Sequence, residues 1–135
     1  MRCVLDTTAF SAVMKRDMAL LQLLKDYRPG DIVTVPPVVA EIQYGIERLD
    51  HSSKKFLLLK SERDRLLSVI NVLPWSAESS DHFGKIKADL EHQGKLIDDF
   101  DIAIAAIAIA HKCGVITANQ THFKRIKNIV CQNWQ

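Results

Sequence analysis

Cysteine is scarce in this sequence, and the three residues that occur form no recognisable metal or disulfide pattern. Cys3, Cys113 and Cys131 are widely spaced, no C-x-x-C pair occurs, and no histidine stands at a matching ligand spacing. An odd number of isolated cysteines is typical of reduced thiols in an intracellular protein. The sequence therefore argues against a secreted disulfide scaffold and against a zinc site.

Long hydrophobic runs are also missing. The apolar stretch 102–110 has nine residues, far fewer than the ~20 that a helix needs to cross a bilayer. At the amino end, Asp6 interrupts the chain before an apolar segment of signal-peptide length can form. We therefore expect a cytoplasmic protein with no membrane interaction.

Neither sign of charge is in large excess. The 135 residues carry 18 Lys and Arg against 16 Asp and Glu, a formal net charge of +2, which neither demands nor excludes a polyanionic partner. A hydrophobic content of 47% with 25% charged residues is ordinary for a soluble globular protein. The length predicts one domain over residues 1–135.

Short apolar segments alternate with helical patterns along the chain. Strands are predicted at residues 3–5, 32–35, 69–73, 115–117 and 129–131. Helices are predicted from about Phe10, from the Pro36-Pro37 pair, after Ser53, over residues 77–93, and through the apolar run that follows Asp99. Strands separated by helices imply parallel pairing, so the predicted fold class is a layered α/β sandwich.

Polar residues recur where the predicted strands end or where the next helix begins. Asp6 follows the first strand, Glu41 lies in the helix after the second, and Asp101 lies near the start of the apolar helix. Thr117 and Asn119 end the fourth strand. Because ligands gather at the carboxyl ends of parallel strands, these residues are expected to face one pocket.

The acids of the segment LIDDFDIAIAAIAIAH can be interpreted in two ways. Asp98 and Asp99 precede the regular apolar run, so they are expected to cap the helix or to orient water. Asp101 already lies inside the helix, on the face of Ile104 and Ala108, and capping does not explain it. Burying such an acid requires backbone donors, a basic partner or a metal ion.

The other two acids also have structural alternatives. Asp6, followed by Thr7 and Thr8, can simply cap the first helix. Glu41 can be a surface residue, although Gly45 one turn later lowers helix propensity and leaves room for a group approaching Glu41.

Bringing Asp6, Glu41 and Asp101 together is unfavourable without a counterion. Two carboxylates ~4 Å apart repel by several kcal/mol at an effective dielectric near 20. Protonation of one carboxylate is one solution. A hard cation such as Mg²⁺ or Mn²⁺ is a better one, because these ions prefer oxygen ligands. A bound metal ion that activates water supports hydrolysis of phosphate esters.

Four motifs, in this order and spanning nearly the whole chain, resemble the PIN-domain family, and more narrowly the VapC-like ribonuclease toxins of type II toxin-antitoxin pairs. They are VLDTT, PPVVAEIQYGIERL, GKLIDDFDIAIAAIAIAH and GVITANQTHFKRI, followed by the closing Asn133-Trp134 dipeptide. The resemblance implies a PIN-like three-layer α/β/α sandwich with a central, mostly parallel sheet of four to five strands. It also implies a Mg²⁺- or Mn²⁺-dependent endoribonuclease that forms a homodimer and is inhibited by a cognate antitoxin.

Family positions carry over residue by residue. Asp6, Glu41 and Asp101 match the metal-binding acids, and Asn119 falls where many relatives have a fourth aspartate, which leaves a second metal ion open. Auxiliary roles are expected for Thr117, Asp99 and Thr7.

Basic residues flank the first and last of these motifs. Lys15, Arg16, Lys124 and Arg125 are candidate phosphate contacts for RNA, and a solvated charged face is the alternative. His122, beside Phe123, is expected to serve only in local packing or hydrogen bonding.

Two other function classes stay open. One is a PIN-like module that binds RNA or protein with little or no cleavage, which Asn119 favours. The other is a phosphorylation-switched receiver domain, although only one acid follows the first strand and no lysine ends the last one.

Overall fold

The computed structural model describes residues 1–135 and has a five-stranded, all-parallel sheet at its centre. The strands are β1 (Cys3–Leu5), β2 (Ile32–Thr34), β3 (Asn71–Val72), β4 (Gly114–Ile116) and β5 (Cys131–Gln132). The helices are α1 (Thr7–Met14), α2 (Met18–Leu24), α3 (Pro36–Glu47), α4 (Lys54–Leu67), α5 (Ala77–His92), α6 (Asp99–Ala110) and α7 (Gln120–Phe123), with a 3₁₀ turn at Pro29–Asp31. The predicted α/β class with a parallel sheet is confirmed.

The order of the strands fixes where a ligand can bind. The sheet runs β3-β2-β1-β4-β5, so β1 lies between β2 and β4. The connection after β1 leads to one side of the sheet and β4 lies on the other, which makes the gap between β1 and β4 the topological switch point. In receiver domains of the flavodoxin-like type, β1 instead lies between β2 and β3. The receiver interpretation is therefore wrong.

Side-chain caps explain most helix starts. The Asp6 carboxylate accepts a hydrogen bond from the Ala9 amide, so α1 begins at Thr7 and not near Phe10 as predicted. Ser53 caps α4 in the same way, and the two prolines after Val35 occupy the first turn of α3. Strand β1 has the predicted bounds and β4 is shifted by one residue, whereas β2, β3 and β5 are shorter than predicted. Helix α7 was not predicted.

Helix α6 lies in the core. Its residues 102–108 are all buried, as expected for a helix that is apolar on every side. The helix begins at the carboxyl edge of the sheet, where its first turn carries Asp99 and Asp101. The residues 102–108 that follow are enclosed by the other elements. None of the helices has the length and apolar character needed to span a membrane.

Candidate metal and nucleic-acid site

Asp6 lies at the end of β1 and is almost completely buried, with 1% of its surface exposed. Its Oδ1 accepts hydrogen bonds from the Thr8 hydroxyl at 2.6 Å and from the Ala9 amide at 2.9 Å. Its Oδ2 accepts one from the hydroxyl of Thr117 at the end of β4. The capping interpretation is therefore correct, and the same carboxylate also bridges the switch point of the sheet.

Thr117 and its neighbours form a network that holds Asp6 in place. Thr117 is fully buried, and its Oγ1 also accepts a hydrogen bond from the Asn119 amide at 2.8 Å. The Thr8 hydroxyl, which donates to Asp6, accepts from the Ala118 amide at 2.9 Å. These bonds join the segment after β1 to the segment after β4, so the first and last sequence motifs meet here.

Glu41 lies in α3 and is half-buried. Its Oε1 accepts a hydrogen bond from the Thr7 hydroxyl at 2.6 Å, which connects α3 to α1 across the carboxyl edge of the sheet. A Cβ at Gly45, one turn further on, would meet no atom within 4 Å. No contact within the chain therefore requires glycine at this position, and Gly45 and Glu41 line the same groove.

Asp101 lies in the first turn of α6, and 16% of its side chain is exposed. Its Oδ2 is 3.0 Å from Nδ1 of His122 in α7. The two acids before it lie differently. Asp98 caps α6 by accepting from the Phe100 amide at 2.7 Å, as predicted, whereas Asp99 forms an exposed ion pair with Lys87 at 3.0 Å. Asp99 therefore has a cationic partner of its own and does not cap the helix.

The three acids influence one another electrostatically. Burial raises the pKa of Asp6 above its usual value, opposed by its three hydrogen bonds, and the charge of Asp101 raises that pKa further. Burial likewise raises the pKa of Glu41, and the charges of Asp101, Asp98 and Asp6 add to this effect. Burial and the neighbouring negative charges disfavour the ionised carboxylates, and a cation bound beside them would remove the repulsion between those charges.

The acids form an open set and not a closed cage. No three His, Cys, Asp or Glu side chains lie in an arrangement that could by themselves hold a metal ion. Each acid is held by a separate donor: Asp6 by Thr117, Glu41 by Thr7 and Asp101 by His122. The donor set consists of carboxylate oxygens, which suits Mg²⁺ or Mn²⁺, and Mg²⁺ usually keeps several water ligands. The residues present therefore fit a hydrated divalent cation.

A groove of about 320 Å³ runs from Glu41 and Thr7 between α1, α3 and α4. Three cationic side chains line it, namely Lys15, Arg48 and Lys55. Lys15 is thus positioned as the sequence analysis expected for a phosphate contact. Arg48 and Lys55 were missed, because only the packing of α3 against α4 brings them to the same groove as Glu41.

The other predicted RNA contacts are placed less favourably. Arg16 forms an ion pair with Glu62 at 3.1 Å. Arg125 donates to the carbonyl oxygens of Lys95 and Leu96 at 3.4 and 3.3 Å. Lys124 is exposed at the end of α7. Arg16 and Arg125 therefore have partners within the protein, and neither is among the residues that line the groove.

Asn119 lies between Thr117 and α7, where it is the residue preceding the helix. Its backbone amide donates to Thr117, but its side chain makes no capping hydrogen bond. The side-chain amide of Asn119 is therefore free to interact with water or a ligand at the carboxyl edge of the sheet.

Similar proteins give the family of this chain. Residues 3–129 match the PIN domain. The chain is 36% identical over 97 residues to Ribonuclease VapC2 of Rickettsia felis, covering 72% of this chain and 69% of that protein. It is 29% identical over 134 residues to Ribonuclease VapC2 of Haemophilus influenzae, covering 99% and 98% of the two chains.

A solved structure with the same fold extends this comparison. VapBC2 from Rickettsia felis bound to a DNA fragment from their promoter matches with a TM-score of 0.84 and 31% identity, over 100% of both chains. The resemblance seen in the four motifs is thus confirmed in sequence and in structure. The chain belongs to the PIN-domain family and, within it, to the VapC proteins.

Proposed function

We propose that this protein is a divalent-metal-dependent endoribonuclease that acts as the toxin of a toxin-antitoxin pair. The observation that supports the proposal is the electrostatic coupling of the Asp6 and Glu41 carboxylates to the charge of Asp101 at the carboxyl edge of the sheet. There the carboxylates of Asp6 and Glu41 are partly desolvated and feel the charge of Asp101. The two relatives described above are named ribonucleases, which supports the same reaction class.

The three acids would hold Mg²⁺ or Mn²⁺, with Asn119 and Thr117 contributing directly or through water. A bound divalent cation supplies activation of a water molecule and stabilisation of charge on the phosphoryl oxygens. The protein's own contribution is positioning. Thr117, Thr7 and His122 hold the three carboxylates, so few rotamers must be fixed when the cation binds.

The RNA backbone would lie in the groove beside Glu41. Lys15, Arg48 and Lys55 place positive charge along this groove, and such residues bind phosphates without reading sequence. The RNA would therefore approach the acids from the side of α1 and α4.

The partners of the chain are proposals of the same kind. The structural relative from Rickettsia felis is a VapBC2 assembly, so we expect a cognate antitoxin here, and residues 1–135 would act as one PIN-like domain. Leu57 and Leu58 of α4 are 61% and 60% exposed, which makes them candidate contacts for a second copy or for the antitoxin. The free thiols suit action in the cytoplasm, where RNA is available.

Two variants of the first turn of α6 test the proposal. Asp101→Asn should lower RNA cleavage by at least about a hundredfold, the scale for loss of a group that stabilises transition-state charge. Asp99→Ala, two residues away, should keep most of the activity, because Asp99 is 59% exposed and pairs with Lys87. Cleavage by the purified chain is measured with Mg²⁺ or Mn²⁺ and with EDTA. Full activity of Asp101→Asn, or loss of activity in Asp99→Ala, would contradict the assignment.

The second candidate function is a PIN-like module that binds RNA with little or no cleavage. It is favoured by Asn119, which gives the site one negative charge fewer than many relatives have. RNA binding without any chelator-sensitive cleavage would support this alternative.

A further inference from the structure

One side chain that the proposed ligand set does not include contacts that set directly. The Nδ1 atom of His122 is 3.0 Å from Oδ2 of Asp101, and 40% of the histidine side chain is exposed. An ionised carboxylate can only accept a hydrogen bond, so Nδ1 carries the proton and donates. The contact therefore occupies one oxygen of Asp101 and leaves the other available.

The position of His122 is fixed by its helix. α7 has only four residues, and its last residue, Phe123, is fully buried beside α6. This anchor holds the first turn of α7 over the start of α6. His122 is thus held over Asp101 by packing that does not involve the acids.

We propose that His122 is a positioning residue for the metal site: its Nδ1–H holds the Asp101 carboxylate in one orientation and leaves Oδ1 available to a cation. The inference rests on the proposed function and adds a residue to it. Groups that hydrogen-bond to metal ligands orient those ligands, and their loss typically weakens metal binding or activity by 10–100-fold.

Metal affinity, measured by calorimetry with Mn²⁺ and Mg²⁺ on the full chain, tests this role without relying on activity. His122→Ala should weaken binding by about 10–100-fold. His122→Asn should bind within about threefold of the wild type, because Nδ2 of asparagine is attached to Cγ as Nδ1 of histidine is. His92→Ala is the matched control, since His92 is exposed at the end of α5 and should show unchanged binding.

The outcomes separate this inference from the proposed function. Wild-type affinity in His122→Ala would overturn the positioning role while leaving a metal-dependent nuclease intact. Equal losses in His122→Asn and His122→Ala would also overturn it, because the imidazole would then be needed for more than its Nδ1 donor. Absence of saturable Mn²⁺ or Mg²⁺ binding by the wild type would overturn both.

A second feature, the cleft on the other side of Glu41, carries an independent inference. This cleft of about 310 Å³ is lined by Tyr44 and Phe100 together with Ala40, Glu41 and Asp98. The two aromatic side chains are 67% and 43% exposed. Glu41 thus lies between the cationic groove and an aromatic cleft.

We infer that this aromatic cleft, defined by Tyr44 and Phe100, receives an unpaired base of the RNA next to the phosphate that is cut. The two carboxylates of the cleft repel a phosphate, whereas a neutral base can stack on an aromatic ring, a contact worth roughly 1–3 kcal/mol per base. The sugar-phosphate chain would then continue into the cationic groove, where Lys15 and Lys55 lie. This inference also rests on the proposed function.

Binding of a short single-stranded RNA to the metal-free chain in EDTA tests the cleft. Tyr44→Ala should weaken binding by roughly 5–150-fold, the fold-change that corresponds to the stacking energy. Tyr44→Phe keeps the ring and should bind as the wild type does, and a duplex of the same sequence should bind equally to all three proteins. Equal affinity of Tyr44→Ala and wild type for the single strand would overturn the inference. A change of oligomeric state in Tyr44→Ala, measured by light scattering, would also overturn it, because the ring would then serve an interface between copies.

Discussion

Replacing Thr117 by valine tests the network that joins the two halves of the site. Valine keeps the shape of threonine but removes the hydroxyl that donates to Asp6 and accepts from the Asn119 amide. The Asp6 carboxylate and the Asn119 backbone amide would each lose a hydrogen bond. Water has little access there, because Thr117 and Asp6 are 0% and 1% exposed.

The expected loss of stability follows from these two bonds. A hydrogen bond to a charged group contributes about 1.5–3 kcal/mol, and an unpaired buried donor costs about 1–3 kcal/mol. Asn119 is only half-buried, so part of the second cost is relieved by water. We therefore expect Thr117→Val to lower the free energy of unfolding by about 2–4 kcal/mol, which is roughly 8–15 °C in melting temperature for a chain of this size.

Thr117→Ser is the matched control, because serine keeps the hydroxyl and loses only a methyl group, worth about 1 kcal/mol. Both variants are compared with the wild type by urea unfolding at pH 8 in EDTA. The difference between valine and serine should shrink as the pH falls and Asp6 becomes protonated. Equal stability of the two variants at pH 8 would show that the hydroxyl does not hold Asp6, and the argument would fail.

Two further predictions concern pH and salt. Because the pKa values of Asp6 and Glu41 are raised, these two carboxylates bind protons more tightly in the folded state than in the unfolded chain. In EDTA, the free energy of unfolding should therefore fall as the pH rises from the ordinary carboxyl range through the raised pKa values. Mg²⁺ at 100 times its Kd should raise the free energy of unfolding by about 2.7 kcal/mol at neutral pH. Denaturant titrations in EDTA at several pH values test the pH dependence, and a free energy of unfolding that rose with pH would contradict it. Lys15→Ala should weaken RNA binding and reduce the slope of log K against log salt by about 1, whereas Lys85→Ala, on the exposed surface of α5, should leave that slope unchanged.

Sequence patterns predicted the framework of this fold because its elements are strongly apolar. β1, β4 and α6 are nearly continuous hydrophobic segments, and the parallel sheet follows from helices between strands. The gathering of Asp6, Glu41 and Asp101 could be expected for the same reason, since the carboxyl ends of parallel strands share one edge.

The features that the sequence analysis missed depend on contacts between distant segments. α7 is a single turn of four residues, too short to show a hydrophobic period, so the contact of His122 with Asp101 had no signal in the sequence. Arg48 and Lys55 lie on different helices and reach the same groove only through packing. Asp99 looked like a capping residue, yet the structure gives that role to Asp98 and pairs Asp99 with Lys87.

The sequence offers capping and metal binding as alternative roles for Asp6, but the two roles use different lone pairs. An ionised carboxylate offers about four acceptor sites. Oδ1 of Asp6 accepts from Thr8 and from the Ala9 amide, and Oδ2 accepts from Thr117, so one site on Oδ2 is left. Glu41 and Asp101 likewise have one oxygen engaged, by Thr7 and His122. The same hydrogen bonds that stabilise the fold thus leave each acid with a free acceptor site, and a cation bound there would share oxygens with the caps without displacing them.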